Sequence, residues 1–339
     1  MVGATRTLRI ESLEQKQMLA GDVLVDVVNG VLTLRGDDLA NQVVVSSGEQ
    51  PGSYVIHGLD GTRVLLADET PDDTAENSTL VVEGVRRGVI VNLGAGDDLL
   101  RIQDAVFRSN VAINMGAGND RVAIGVLPPS TETETTLVDD ETGEGVPSVR
   151  LSQNLLIRTG EGNDTVVIDD TVGRGSVAVL TGEGDDTVRL GLAEETDDDA
   201  EATVDVNVSF GRGVAVDLGA GADSLIVNHL RAGGFHANGG AGADTMRIAG
   251  IHSPAIHVSG GVGEGADDVA ITDAVTRLLA VALGGGDDKL SLGGVKAQLA
   301  LLQGGRGEAD TLTLLGENMI RHRRVAGFEI INPSEVATA

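Results

Sequence analysis

Residues 93–100 read LGAGDDLL, residues 115–122 read MGAGNDRV, residues 159–166 read TGEGNDTV and residues 181–188 read TGEGDDTV. Each holds two glycines one residue apart, an Asp two places later, and an apolar residue two places after that. Five further stretches repeat the plan, LGAGADSL, GGAGADTM, GEGADDV, GGGDDKL and GRGEADTL, the last with one extra residue before its Asp. The glycines are Gly94 and Gly96, Gly116 and Gly118, Gly160 and Gly162, Gly182 and Gly184, Gly219 and Gly221, Gly240 and Gly242, Gly263 and Gly265, Gly284 and Gly286, and Gly305 and Gly307. The acids are Asp98, Asp120, Asp164, Asp186, Asp223, Asp244, Asp267, Asp288 and Asp310.

Successive Asp residues lie 22, 44, 22, 37, 21, 23, 21 and 22 apart. The two long intervals read as one repeat plus an insertion. Period-two alternation surrounds each corner: Val89, Val91 and Leu93 precede the first, and Leu100 and Ile102 follow it. Alternation of this kind means strands with one buried face. Short strands joined by glycine corners at a fixed period predict an all-β, right-handed parallel β-helix of about 22 residues per coil, each coil burying its face on the next.

The composition agrees. Five aromatics and no Trp leave a core of Val, Leu, Ile and Ala, residues suited to strands. At 41% apolar the chain is too rich for a disordered acidic tail. Asp plus Glu total 52 against 24 Lys plus Arg, so the net charge is −28, which repels nucleic acid and anionic membranes and attracts cations. With no cysteine, disulfides and thiolate metal sites are excluded. No apolar run is long enough to span a membrane, and residues 1–21 lack the apolar stretch of an ordinary signal peptide.

Residues 1–21 are expected to be a targeting-like or capping segment, residues 22–93 an N-terminal cap with irregular first coils, residues 94–318 the regular array, and residues 319–339 a C-terminal cap and tail. In the cap, residues 54–66 resemble a further hairpin or coil. Arg321, Arg323 and Arg324 sit beside a final apolar strand. The acidic insertions 128–148 and 193–202 are expected to leave one edge two coils apart, as solvated loops or as secondary partner or cation sites.

Stacked in register, nine carboxylates about 5 Å apart would repel by roughly 0.8 kcal/mol per pair even in water. Protonation offsets this, and a divalent cation between turns offsets it better. Calcium suits six to eight hard oxygens, and glycine corners leave carbonyls uncovered. The other reading open at this point is that each Asp bonds its own corner backbone as an Asx turn.

Residues Gly239 to Arg247, GGAGADTMR, match the whole nonapeptide pattern GGxGxDxUx, and the other corners keep most of it. Over about 230 residues the chain thus resembles the RTX calcium-binding repeat proteins. The resemblance implies calcium bound between stacked turns, with the nine Asp carboxylates as ligands and the named glycines supplying carbonyls. RTX repeats recur every nine residues with turns on both edges, whereas this chain has one turn per coil and hence a single column. Near the N-terminus, Leu13, Glu14, Met18, Leu19 and Ala20 resemble the LEPR-XLL type segment of large bacterial surface proteins, with Gln15 and Lys16 in place of the usual Pro-Arg. That resemblance implies export to the surface; a short amphipathic capping helix is the other reading.

The expected function is therefore a non-enzymatic, calcium-binding structural or adhesive protein, secreted or on the cell surface, with surface polysaccharide or other surface proteins as partners. The alternative is a β-helical polysaccharide lyase or hydrolase. Such enzymes need a unique acid–base pair in a cleft with stacking aromatics, whereas the carboxylates here occupy repeated positions. His57, His229, His236, His252, His257 and His322 are scattered, and Asp169, Asp170 and Arg174 read as a solvated corner.

Overall fold

The computed structural model describes residues 21–67, 79–125, 148–191 and 208–332. Among these the chain is all strand and turn, without a helix. The N-terminal surface-protein-like segment and, apart from Ser148, both acidic insertions lie outside the described residues.

Two long sheets run the length of the molecule, one of 16 strands and one of 13. In the larger, the strands before each glycine corner stack in parallel: Gly88–Ala95 pairs with Asn110–Ala117, that with Leu155–Glu161, that with Val177–Glu183, and so on to Met319–Ala326. The smaller sheet holds the strands after the corners, from Leu99–Ile102 through Arg121–Ile124 and Thr165–Ile168 to Ile330–Asn332. A short branch of the larger sheet, Ala105–Phe107, Val149–Leu151 and Thr171–Gly173, runs into the first residues of Val208–Ala220. Parallel strands in stacked sheets are compatible with a solenoid.

The register explains the core. Leu100, Val122, Val166, Val188, Leu225, Met246, Val269, Leu290 and Leu312 form one in-register file, and every member is fully buried. These are the residues two places after each Asp. A second file in the larger sheet runs from Leu32 and Val89 through Phe235 and Leu279 to Ala300. Each side chain of this size contributes about 1.5–3 kcal/mol on burial, and no neighbour in the file needs a special shape. That is why aliphatic residues interchange freely along it.

The N-terminal end is closed by antiparallel pairing. Asp22–Val28 folds on Val31–Arg35, and Gln42–Ser47 pairs with Tyr54–Gly58, which pairs with Thr79–Val82. Residues 54–66 are not a hairpin: Tyr54–Gly58 joins the smaller sheet while Arg63–Leu66 joins the larger one beside Asp22–Val28, so this stretch crosses between sheets as a coil would. Parallel stacking begins before residue 94, with Gly88–Ala95 on Val31–Arg35, and extends past 318 to Asn332. At the far end Arg323 stands in register on buried Ala300 and is exposed. A guanidinium in a core file marks where the apolar stack stops, because a layer above it would have to bury the charge.

A buried aspartate column at the glycine corners

The corner glycines are fixed twice over. Gly116 has φ of +121°, and a Cβ there would also collide with the carbonyl oxygen of Gly94 in the layer below. An L-residue is excluded by both backbone conformation and space. The same relation recurs up the column, so successive corners touch backbone to backbone.

This close approach carries the nine Asp side chains inward. They share the inward parity of the apolar residues that follow them, and none is more than 4% exposed. From Asp98 to Asp288 each Asp N–H, left without a strand partner by the corner, donates to Oδ1 of the Asp in the next layer. Asp98 donates to Asp120 at 2.8 Å, Asp120 to Asp164 at 2.8 Å, Asp164 to Asp186 at 2.8 Å and Asp186 to Asp223 at 2.7 Å. The run continues through Asp244, Asp267 and Asp288 to Asp310, at 2.8–2.9 Å. The side chain thus bonds the neighbouring layer's backbone, which differs from an Asx turn within its own corner.

Two members of this ladder carry no Gly-x-Gly signature. Asn41 N–H donates to Asp98 Oδ1 at 2.7 Å, and Asp310 N–H donates to Glu329 Oε2 at 2.8 Å. The signal for both was the apolar residue two places on, Val43 and Ile331, which lie in the same file as Leu100 and Leu312. Outside this ladder runs a second one of opposite direction. Asn119 N–H donates back to Asp97 Oδ1, Asn163 to Asn119, Asp185 to Asn163 and Ala222 to Asp185, at 2.7–2.9 Å.

The inner ladder uses only one oxygen of each carboxyl. Oδ2 of Asp98, Asp120, Asp164, Asp186, Asp223, Asp244, Asp288 and Asp310 is buried without a hydrogen-bond partner. Burial pushes the carboxyls of Asp98, Asp120, Asp223 and Asp267 up to about 7, with the backbone N–H bonds pulling the other way. Asp164, Asp186, Asp244 and Asp288 are raised by the same cause. A buried charged oxygen without a partner is costly, so each calls for a proton or a cation. Carboxylate oxygens beside stacked glycine backbone are donors of the type calcium takes. Among the described residues no three carboxylate or imidazole groups converge on one point. An ion here would therefore take one or two carboxylates and complete its shell with turn carbonyls.

One corner differs from its sequence assignment. Gly261, not Gly263, pairs with Gly240, and Gly265 packs on the Gly242 carbonyl. This corner carries two extra residues, and Gly263 lies in the excess, with nothing within 4 Å of where its Cβ would be. The other seventeen corner glycines and all nine Asp residues hold equivalent places in the column.

Elsewhere the chemistry is scattered. Asp169 is buried and Asp170 takes a left-handed φ of 39° while its Oδ2 accepts from Ser148 N–H at 2.9 Å, so that corner is structural rather than solvated. His236 and His257 register on neighbouring strands with rings 6.5 Å apart. Tyr54, Phe107, Phe210 and Phe235 are buried, Tyr54 stacking on Phe107 at 5.1 Å. No helix among the described residues is long and apolar enough to cross a membrane. No family model, curated protein or solved structure matches this chain.

Proposed function

We propose that this chain is a calcium-loaded structural or adhesive rod of the bacterial surface or extracellular space, wound as a right-handed parallel β-helix of about 22 residues per coil. The observation that carries it is the file of eight buried, unpartnered Oδ2 atoms along one corner. A divalent cation can neutralise such a file at pH values above the raised pKa of its carboxyls, where protons no longer do. The 21- to 23-residue steps between most paired corners support the coil length, and parallel crossovers favour the right hand. Thirteen strands in the longest path give a rod about 58 Å long at ordinary strand spacing. A rod of that kind suits display or spacing on a surface, against polysaccharide or another surface protein. The buried aromatics favour this over a polysaccharide lyase or hydrolase, since four of the five cannot stack on a sugar.

The test is a melting curve in millimolar calcium against one in EDTA, with metal content by elemental analysis. A ligand that binds only the folded state raises Tm by mass action. Several bound calcium ions and a raised Tm are expected; no bound calcium and superimposed curves would overturn the reading.

A further inference from the structure

Four of the six histidines fall between residues 229 and 257, and two of them share one place in successive coils. His236 and His257 are 21 residues apart, the same step that separates Asp223 from Asp244. They pair in register on the neighbouring parallel strands Leu230–Gly240 and Ala255–Gly261. Each is exposed at an outward position between two buried residues, Phe235 and Ala237 on one strand, Ile256 and Val258 on the other. Their rings lie 6.5 Å apart, tilted by 51°. Zinc holds an imidazole nitrogen at about 2.0–2.1 Å, which sets the centres of two rings sharing one ion about 5–6 Å apart. A small turn of either side chain covers the difference, and exposed side chains turn readily. The file leaves room for that turn, because Ala215 registers with His236 on one side and Ala280 with His257 on the other. Two places along the same face, exposed Asp217 accepts the Asn238 Nδ2–H at 2.9 Å and adds to the negative field that draws cations.

We propose that His236 and His257 form a surface site for a divalent transition-metal ion of the zinc, copper and nickel class, bound through one nitrogen of each ring. Imidazole is a ligand that suits these ions, whereas carboxylates and carbonyls suit harder ones such as calcium. The site is independent of the aspartate column, since these rings face outward from the larger sheet while the column carboxyls are buried. It stands whether or not the column holds calcium. Two protein ligands leave the other coordination positions to water or to a donor from another molecule. An ion held by two adjacent coils also ties one layer to the next, and binding to the folded state alone raises stability by mass action.

Full-length protein in excess calcium is titrated with zinc chloride by isothermal calorimetry, and a parallel sample receives copper(II) for electron paramagnetic resonance. Wild type should show a binding step of one zinc ion per chain. Losing a group that merely orients a metal ligand costs about tenfold or more in affinity, so losing a ligand should cost at least that. The step should therefore weaken at least about tenfold in His236→Ala and in His257→Ala, and remain in His252→Ala. Both variants should fold, since alanine already holds this place in the coils on either side, at Ala215 and Ala280. The copper spectrum of wild type should carry coupling from two nitrogens, and that of each variant from one at most. Absence of the zinc step in wild type overturns the proposal. So does a step that keeps wild-type affinity in either variant, or a copper spectrum without two coupled nitrogens.

Discussion

Asp186 shows how much one residue carries in this fold. Its N–H donates to Asp223, its Oδ1 accepts from Asp164, and its Oδ2 has no partner. Asp186→Ala leaves the Asp164 N–H unpaired in a sealed corner, a loss of about 1–3 kcal/mol. Measured by urea unfolding in EDTA, that loss should appear without any metal. In calcium the loss should be larger, and elemental analysis should show the deficit confined to neighbouring ions. Two residues further on, Val188 is fully buried while Thr187 is half-exposed. Val188→Asp would bury a carboxyl between apolar neighbours and should destabilise by several kcal/mol. Thr187→Ser should stay within about 0.5 kcal/mol. Equal sensitivity at the two positions in thermal melts would refute the register. At this scale the sequence was readable because the Asp and the apolar residue keep one spacing. Asn41 and Glu329 escaped because they hold the same place without the glycines. Gly263 was misplaced because GGVGEG offers two glycine pairs at the right separation, and only the pairing of Gly261 with Gly240 decides between them.

Each layer also turns at a second corner, and its logic is different. Gly125, Gly191, Gly250 and Gly294 take positive φ there, but so do Asp104, Asp170, His229 and Asp273, at 39° to 51°. Asp and His tolerate the left-handed region better than most residues, so no uniform signature is needed. That is why this corner was not legible as a repeat while the glycine corner was. Asp273→Gly should leave stability within about 1 kcal/mol, since glycine adopts φ near 50° without strain. Asp273→Val forces a β-branched residue into the same conformation and should cost about 1–2 kcal/mol. Thermal melts of the two variants check this, and similar Tm values for both would show that the corner relaxes. The strands themselves were legible from alternation alone. Their assignment to two sheets was not, because residues 54–66 alternate equally well as a hairpin and as a crossing.

The column behaves as one titrating system along the whole rod. Eight of its carboxyls are held above the ordinary range by burial, four of them near 7. A group whose folded-state pKa is raised binds its proton more tightly when folded. Its stabilising contribution is therefore complete below about pH 4, the unfolded value, and is lost as pH rises through about 7. Metal-free protein in EDTA should accordingly lose stability progressively between pH 4 and 8, by up to about 1.4 kcal/mol per pH unit for each carboxyl that titrates independently, with Tm falling in step. Neighbouring carboxyls couple, so the decline should be broad rather than stepped. Calcium flattens this dependence, because it binds the deprotonated form and releases protons as it does so. In millimolar calcium Tm should stay nearly level across the same window, and the two curves should merge on the acid side, where protons displace the metal. Differential scanning calorimetry at matched pH values, with and without EDTA, reads both slopes directly. Parallel curves in the two conditions would mean that protons and calcium do not compete for these oxygens, and the unpartnered Oδ2 file would then need some other occupant.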